Sequence, residues 1–140
     1  MTLLSLVPIL IIGASVMTYA GLAIKTNLIS GLGGTIPKYL AWGTGAGTSA
    51  QTDTTLFAET TYAGYARVAA TPTRTTTAET DDTISWVGTL TNSSGAALAV
   101  TNAGTFDAST AGNLFIKGDF ATVNLNANDS IQFTITEQEQ

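Results

Sequence analysis

The chain has 140 residues, with ten acidic and five basic side chains and neither histidine nor cysteine. A net charge of −5 leaves no footprint for a phosphate backbone, which excludes nucleic-acid binding. The missing residue types exclude a disulfide framework, a thiolate nucleophile and a zinc ribbon. They also remove the commonest general base together with the commonest metal ligand.

The first segment, Met1 to Gly34, carries no charge before Lys25. At about 1.5 Å per residue it is long enough for a bilayer-spanning helix. It is a poor signal peptide, because no Lys or Arg precedes the apolar run and no clean small-residue cleavage site follows it. Ser5, Pro8, Gly13 or Ser15, Thr18, Gly21 and Lys25 recur at helical spacing. They place a narrow stripe of small or polar residues on an otherwise apolar helix. Such a stripe suits close helix approach in a membrane or against protein partners, so a membrane contact through residues 1–24 and a helix buried in an assembly both stand. Gly31, Gly33 and Gly34 supply the helix end and the boundary to the next domain.

Residues 35–140 read as a β domain. Threonine, roughly a fifth of the chain, is β-branched and fits a half-buried pleated surface. Strands are expected at Tyr39 to Gly43, Tyr65 to Ala70, Thr83 to Thr91 and Leu98 to Asn102. The segment through Pro72 reads as an edge. The stretch Thr101 to Phe120 predicts a hairpin with a long loop at Ala108 to Asn113, with Leu114, Ile116 and Phe120 on one face and Phe115 and Lys117 on the other. A last strand alternates over Ser130 to Thr136. About seven or eight short strands with turn signals between them predict an antiparallel β-sandwich or jelly-roll-like domain preceded by an apolar N-terminal helix. Trp42, Trp86, Phe106, Phe120 and Phe133 are the expected aromatic core.

No constellation for chemistry emerges. Gly43, Gly45 and Gly47 lack the Gly-Lys-Ser/Thr that completes a phosphate loop and read as a surface loop. Glu79, Asp81 and Asp82 lack the alternating pattern of a calcium loop and read as a solvated turn. Arg67 is expected to pair with Glu59 or another acid. Asp107 and Asp119 flank the hairpin loop as two carboxylates of a glycosidase flank a cleft, but Asp107 stands where aspartate caps a turn. Catalytic, cofactor-binding and metal residues are therefore assigned as none, and no cofactor is expected.

Three stretches, Tyr39 to Phe57, Thr101 to Ala108 and Leu114 to Ile135, resemble small virion structural proteins of tailed bacteriophages, of the tail-fibre-like or capsid-associated kind. The similarity covers most of Thr35 to Ile135, and the apolar run Met1 to Met17 departs from it. The resemblance implies a non-enzymatic structural part of a phage particle, with the major capsid protein or other virion proteins as partners. A capsid decoration or cement protein on the shell exterior is the reading that suits a small β domain with an apolar arm. Homo-oligomers through the arm are expected. A tail-fibre or spike component, or a membrane-anchored β domain, is the alternative.

Overall fold

The computed structural model describes the backbone of residues 6–10 and, in full, residues 15–60 and 66–138. Among these, nine strands and one helix follow in the order β1 (Leu6–Leu10), β2 (Val16–Met17), α1 (Tyr19–Ser30), β3 (Tyr39–Gly43), β4 (Val68–Ala69), β5 (Thr73–Thr75), β6 (Thr83–Thr91), β7 (Leu98–Phe106), β8 (Leu114–Leu125) and β9 (Ser130–Gln138). One sheet has the order β1-β9-β6-β5 and the other β2-β8-β7-β3-β4. All pairings are antiparallel except that of β1, which runs parallel to β9 with Leu6 opposite Ser130. The mainly β sandwich expected from the sequence is the fold.

Alternation puts the core between the sheets. Along β6, Trp86, Gly88 and Leu90 are buried while Val87, Thr89 and Thr91 are exposed. Across from them Ile131, Phe133 and Ile135 of β9 and Trp42 of β3 complete the layer. The Trp42 and Phe133 rings stack with centroids 6.3 Å apart. The Trp86 indole N–H is satisfied by the Pro37 carbonyl at 2.7 Å, so the ring is buried with no unpaired donor.

Two aromatic assignments differ from expectation. Phe106 is buried, but in a second cluster with Ala41, Leu56 and Leu114. That cluster lies on the opposite face of β3 from Leu40 and Trp42, which belong to the central core. Phe120 is only partly buried and rests against Phe133 with ring centroids 5.8 Å apart. The cause of the mismatch in β8 is a register shift between Thr105 and Phe106, where Thr105 pairs with Ile116 and Phe106 with Leu114. The extra residue breaks the alternation, so Phe115 and Ile116 both reach the central core and Leu114 faces away from it. β8 runs on past Gly118 to Leu125 with a second register shift beyond it, where Asn102 pairs with Asp119 and Val100 with Val123. Of the expected strand at Tyr65 to Ala70, Val68–Ala69 pairs with β3, and Tyr65 lies outside the described residues.

The apolar N-terminal run is not one long helix. Its described parts are β1, β2 and a helix of 12 residues. Val7, Pro8 and Ile9 favour extended backbone over helix interior, and Pro8, which has no N–H to donate, is tolerated because β1 is an edge strand. No helix among the described residues is long and apolar enough to cross a membrane. The Thr18 side chain starts the helix by accepting the Gly21 N–H at 3.0 Å, and the Thr18 N–H donates to the Phe115 carbonyl of β8 at 3.1 Å. Gly31, at φ 69°, ends it.

Of the expected small stripe, Thr18 and Gly21 therefore serve contact with β8. A methyl group at position 21 would sit 2.2 Å from the Phe115 carbonyl oxygen. Gly21→Ala is expected to lower stability by about 1–3 kcal/mol through overpacking, although alanine is the better helix former. A urea midpoint that rises instead would show that α1 does not rest on β8.

Candidate assembly surface

The polar clusters singled out in the sequence are each engaged in holding loops. Asp107 closes the β7–β8 loop by accepting the Asn113 amide N–H at 2.7 Å and its side-chain N–H at 2.9 Å. Arg67 pairs with Glu59 through Nε at 2.7 Å and Nη2 at 3.1 Å, donates to the Ala108 carbonyl, and lies 3.4 Å from the centre of the Phe106 ring. Asp82 accepts the N–H groups of Thr77, Ala78 and Glu79. These bonds, that of Glu79 foremost, hold its carboxyl well below the usual carboxylate range. Asp81 pairs with Arg74 at 3.4 Å. Among the described residues no three acidic side chains converge as a metal would require. Gly43 serves a close approach: a Cβ there would lie 2.2 Å from the Phe57 carbonyl oxygen. Gly45 and Gly47 likewise leave room for Phe57, whose atoms a Cβ would meet at 2.8 and 2.5 Å.

The connection from Thr44 to Thr60 covers the outer face of the second sheet. Side by side on that face stand Gly43, Asn102 and Asp119, then Ala41, Gly104 and Lys117. Each polar member holds part of the cover. The fully buried Asn102 accepts the Phe57 N–H at 3.0 Å and donates to its carbonyl at 3.1 Å, imitating a strand neighbour. Asp119 accepts the Ser49 N–H at 2.7 Å. Lys117 has no exposed side-chain surface. Its ammonium donates to Asp53 at 2.9 Å and to the Thr55 carbonyl at 3.1 Å, and lies 3.1 Å from the centre of the Phe57 ring. The hydrogen bond from Lys117 lowers the Asp53 pKa, and hydrogen bonds from Ser49 lower that of Asp119.

With those groups committed to the fold, the exposed apolar residues around α1 form the candidate site. Lys25 is the helix's single charged residue, and it pairs with Glu137 at 3.1 Å. Inward, Gly21 and Ile24 are buried. Outward, Leu22 and Leu28 are about two-fifths exposed, and Ile29 and Leu32 stand at 78% and 79%. Beside them a groove of about 360 Å³ runs between the helix, Ile36, Pro72 and Ile84, with Trp86 and Phe115 among the residues lining it. The sequence reading had placed an interaction surface in this segment. The groove leaves no mark in the sequence, because its walls come from α1, β5 and β6, which are far apart along the chain.

A family model described as podophage GP4 fiber I protein gp80 matches residues 17–139. The chain belongs to that family. The match spans α1, its groove and every strand from β3 on, and it begins at Met17, the last residue of the stretch that departs from the tailed-phage resemblance. No curated protein matches the chain. The gp80 family is that of a phage fibre protein, which makes the chain a structural protein of the virion. Whether tail or shell carries it is a finer matter taken up below.

Asp53→Ala leaves the Lys117 ammonium buried without its anion and is expected to cost about 3–5 kcal/mol in chemical denaturation. A loss below about 1 kcal/mol would rank the pair with ordinary surface bridges. Asp53, Asp82 and Asp119 all have folded pKa values below the unfolded value. The stability they contribute is therefore complete above the ordinary carboxylate range and is lost as the pH falls through the folded values. The thermal midpoint is expected to be flat from about pH 7 to about pH 5 and to fall below about pH 4.

Proposed function

We propose that the chain is a structural subunit of a podophage fibre, with the sandwich as a rigid body and the α1 surface as the face that meets other virion proteins. The family match over residues 17–139 carries this reading. The chemistry of the chain agrees with a structural task. Each acidic or basic cluster described above is spent on closing a loop or fixing a cover. The chain is rich in threonine and, at 11% charged residues, poor in charge. Such a surface resists extended electrostatic binding and leaves apolar contact as the means of attachment.

Capsid decoration, the reading that the sequence favoured, differs in where copies sit on the particle. It calls for copies spread over the shell, whereas a fibre subunit is confined to the fibres. Immunogold labelling of purified particles with an antibody to the β7–β8 loop separates the two. Label on fibres, and recovery with that fraction when particles are dissociated, is the expected result. Label over the whole shell, with shells that burst earlier on heating when the protein is stripped, would replace the fibre reading with cementing.

A further inference from the structure

We infer that the folded chain joins Lys117 to Asp53 by an intramolecular isopeptide bond, with Asp119 relaying the protons. The inference holds wherever on the particle the protein sits. Lysine is ordinarily a surface residue. Here its amine is sealed against a carboxyl by the cover, so a nucleophile and an electrophile are already in place. Lys117 Nζ lies 2.9 Å from Asp53 Oδ2, the side chains being 0% and 20% exposed. Groups fixed in this way react as if at an effective concentration on the order of 10⁵–10⁸ M.

Three features mark the cluster out from an ordinary ion pair. Burial disfavours the charged forms of both groups, and the bond removes both charges at once. The ion pair is the resting state, in keeping with the lowered Asp53 pKa, and the bond forms from it. Next, Asp53 Oδ2 also accepts the Ala50 N–H at 3.0 Å. A backbone donor there holds negative charge on that oxygen while the carbon is attacked. Last, Asp119 stands two residues along β8 from Lys117, on the same face. It accepts the N–H of Ser49, the residue before Ala50, so consecutive N–H groups hold the two carboxyls. The Lys117 charge also acts on Asp119.

The step balances without a co-reactant. The ammonium gives up two protons, and the freed Nζ lone pair forms a bond to Cγ of Asp53. The Cγ–Oδ1 bond breaks, and Oδ1 leaves as water with both protons. Asp119 passes them on and ends unchanged. Oδ2 becomes the amide oxygen, still bound by Ala50. The exposed part of Asp53 gives the water a way out. In the bonded form Asp53 no longer titrates, so its share of the acid sensitivity belongs to the unbonded chain.

The test is the intact mass of the full chain, purified folded and then denatured, together with a tryptic map. The wild type should be lighter than its sequence by one water. Its map should hold a branched peptide that joins the segments around Asp53 and Lys117, uncut after Lys117. Lys117→Arg keeps the positive charge and should show its full sequence mass. Asp119→Asn keeps an oxygen for the Ser49 N–H but relays no proton, and should leave most of the chain at full mass. A wild type at full sequence mass overturns the inference. So does a lost water that maps to any other residues, or that Lys117→Arg loses equally. Bonding of Asp119→Asn to the wild-type extent overturns the part given to Asp119. Should a variant fail to fold, the wild-type mass and map decide alone.

Discussion

The backbone contact of Gly21 against the Phe115 carbonyl decides where the apolar surface of this chain ends up. Residue 21 must lack a side chain for α1 to lie on β8, and Thr18 fixes the approach by capping the helix while its own N–H is bound to the same carbonyl. With that side of the helix fixed, helical geometry dictates the rest. Ile24, one turn on, enters the central core. Ile29 lies away from it and meets solvent, and Leu32, past the turn at Gly31, is exposed as well. The groove under the helix exists because α1 rests on β8 at its start and stands off β5 and β6 toward its end.

The other face of the second sheet is organised by desolvated polar groups instead of by packing alone. A lysine buried on a sheet face under a covering loop is costly unless its charge is met and its N–H groups are bound. Lys117 has an acid, a carbonyl and an aromatic face around it, all from the segment between Asp53 and Phe57. Asn102 and Asp119 bind the same cover at other points. These interactions contribute chiefly by fixing one arrangement of a long connection that has no regular structure of its own, since a misplaced cover would leave the ammonium unpaired.

Much of this architecture was legible in the sequence. β3, β6 and the β7–β8 hairpin follow from alternation and turn residues, and β6 carries the expected bounds because its inward Trp86, Gly88 and Leu90 alternate with polar or exposed partners. The failures have local causes. Alternation in β8 is broken by a bulge, which is a property of strand pairing and leaves no mark in one strand's own sequence. The roles of Asn102 and Lys117 depend on a segment 45 to 64 residues away in sequence folding over them. Pattern reading could find the polar residues but not their partners. In the N-terminal segment the expected helix is too long, since an uncharged run fits a helix and a strand alike.

That run separates three fates that composition cannot distinguish. Leu6–Leu10 lines the edge of a sheet and gives β9 a neighbour. Ile24 is core, so its apolar character is explained by folding. Ile29 and Leu32 are explained by neither, because a polar residue at either position would leave the folded chain undisturbed. Exposed apolar side chains scattered singly need no explanation. Ile29 shares one groove with Leu28 and Ile36, and Leu32 is exposed just past the helix end. Apolar surface left over after the chain has folded, beside a helix set in place by a glycine contact, is surface that the packing of this chain alone does not account for.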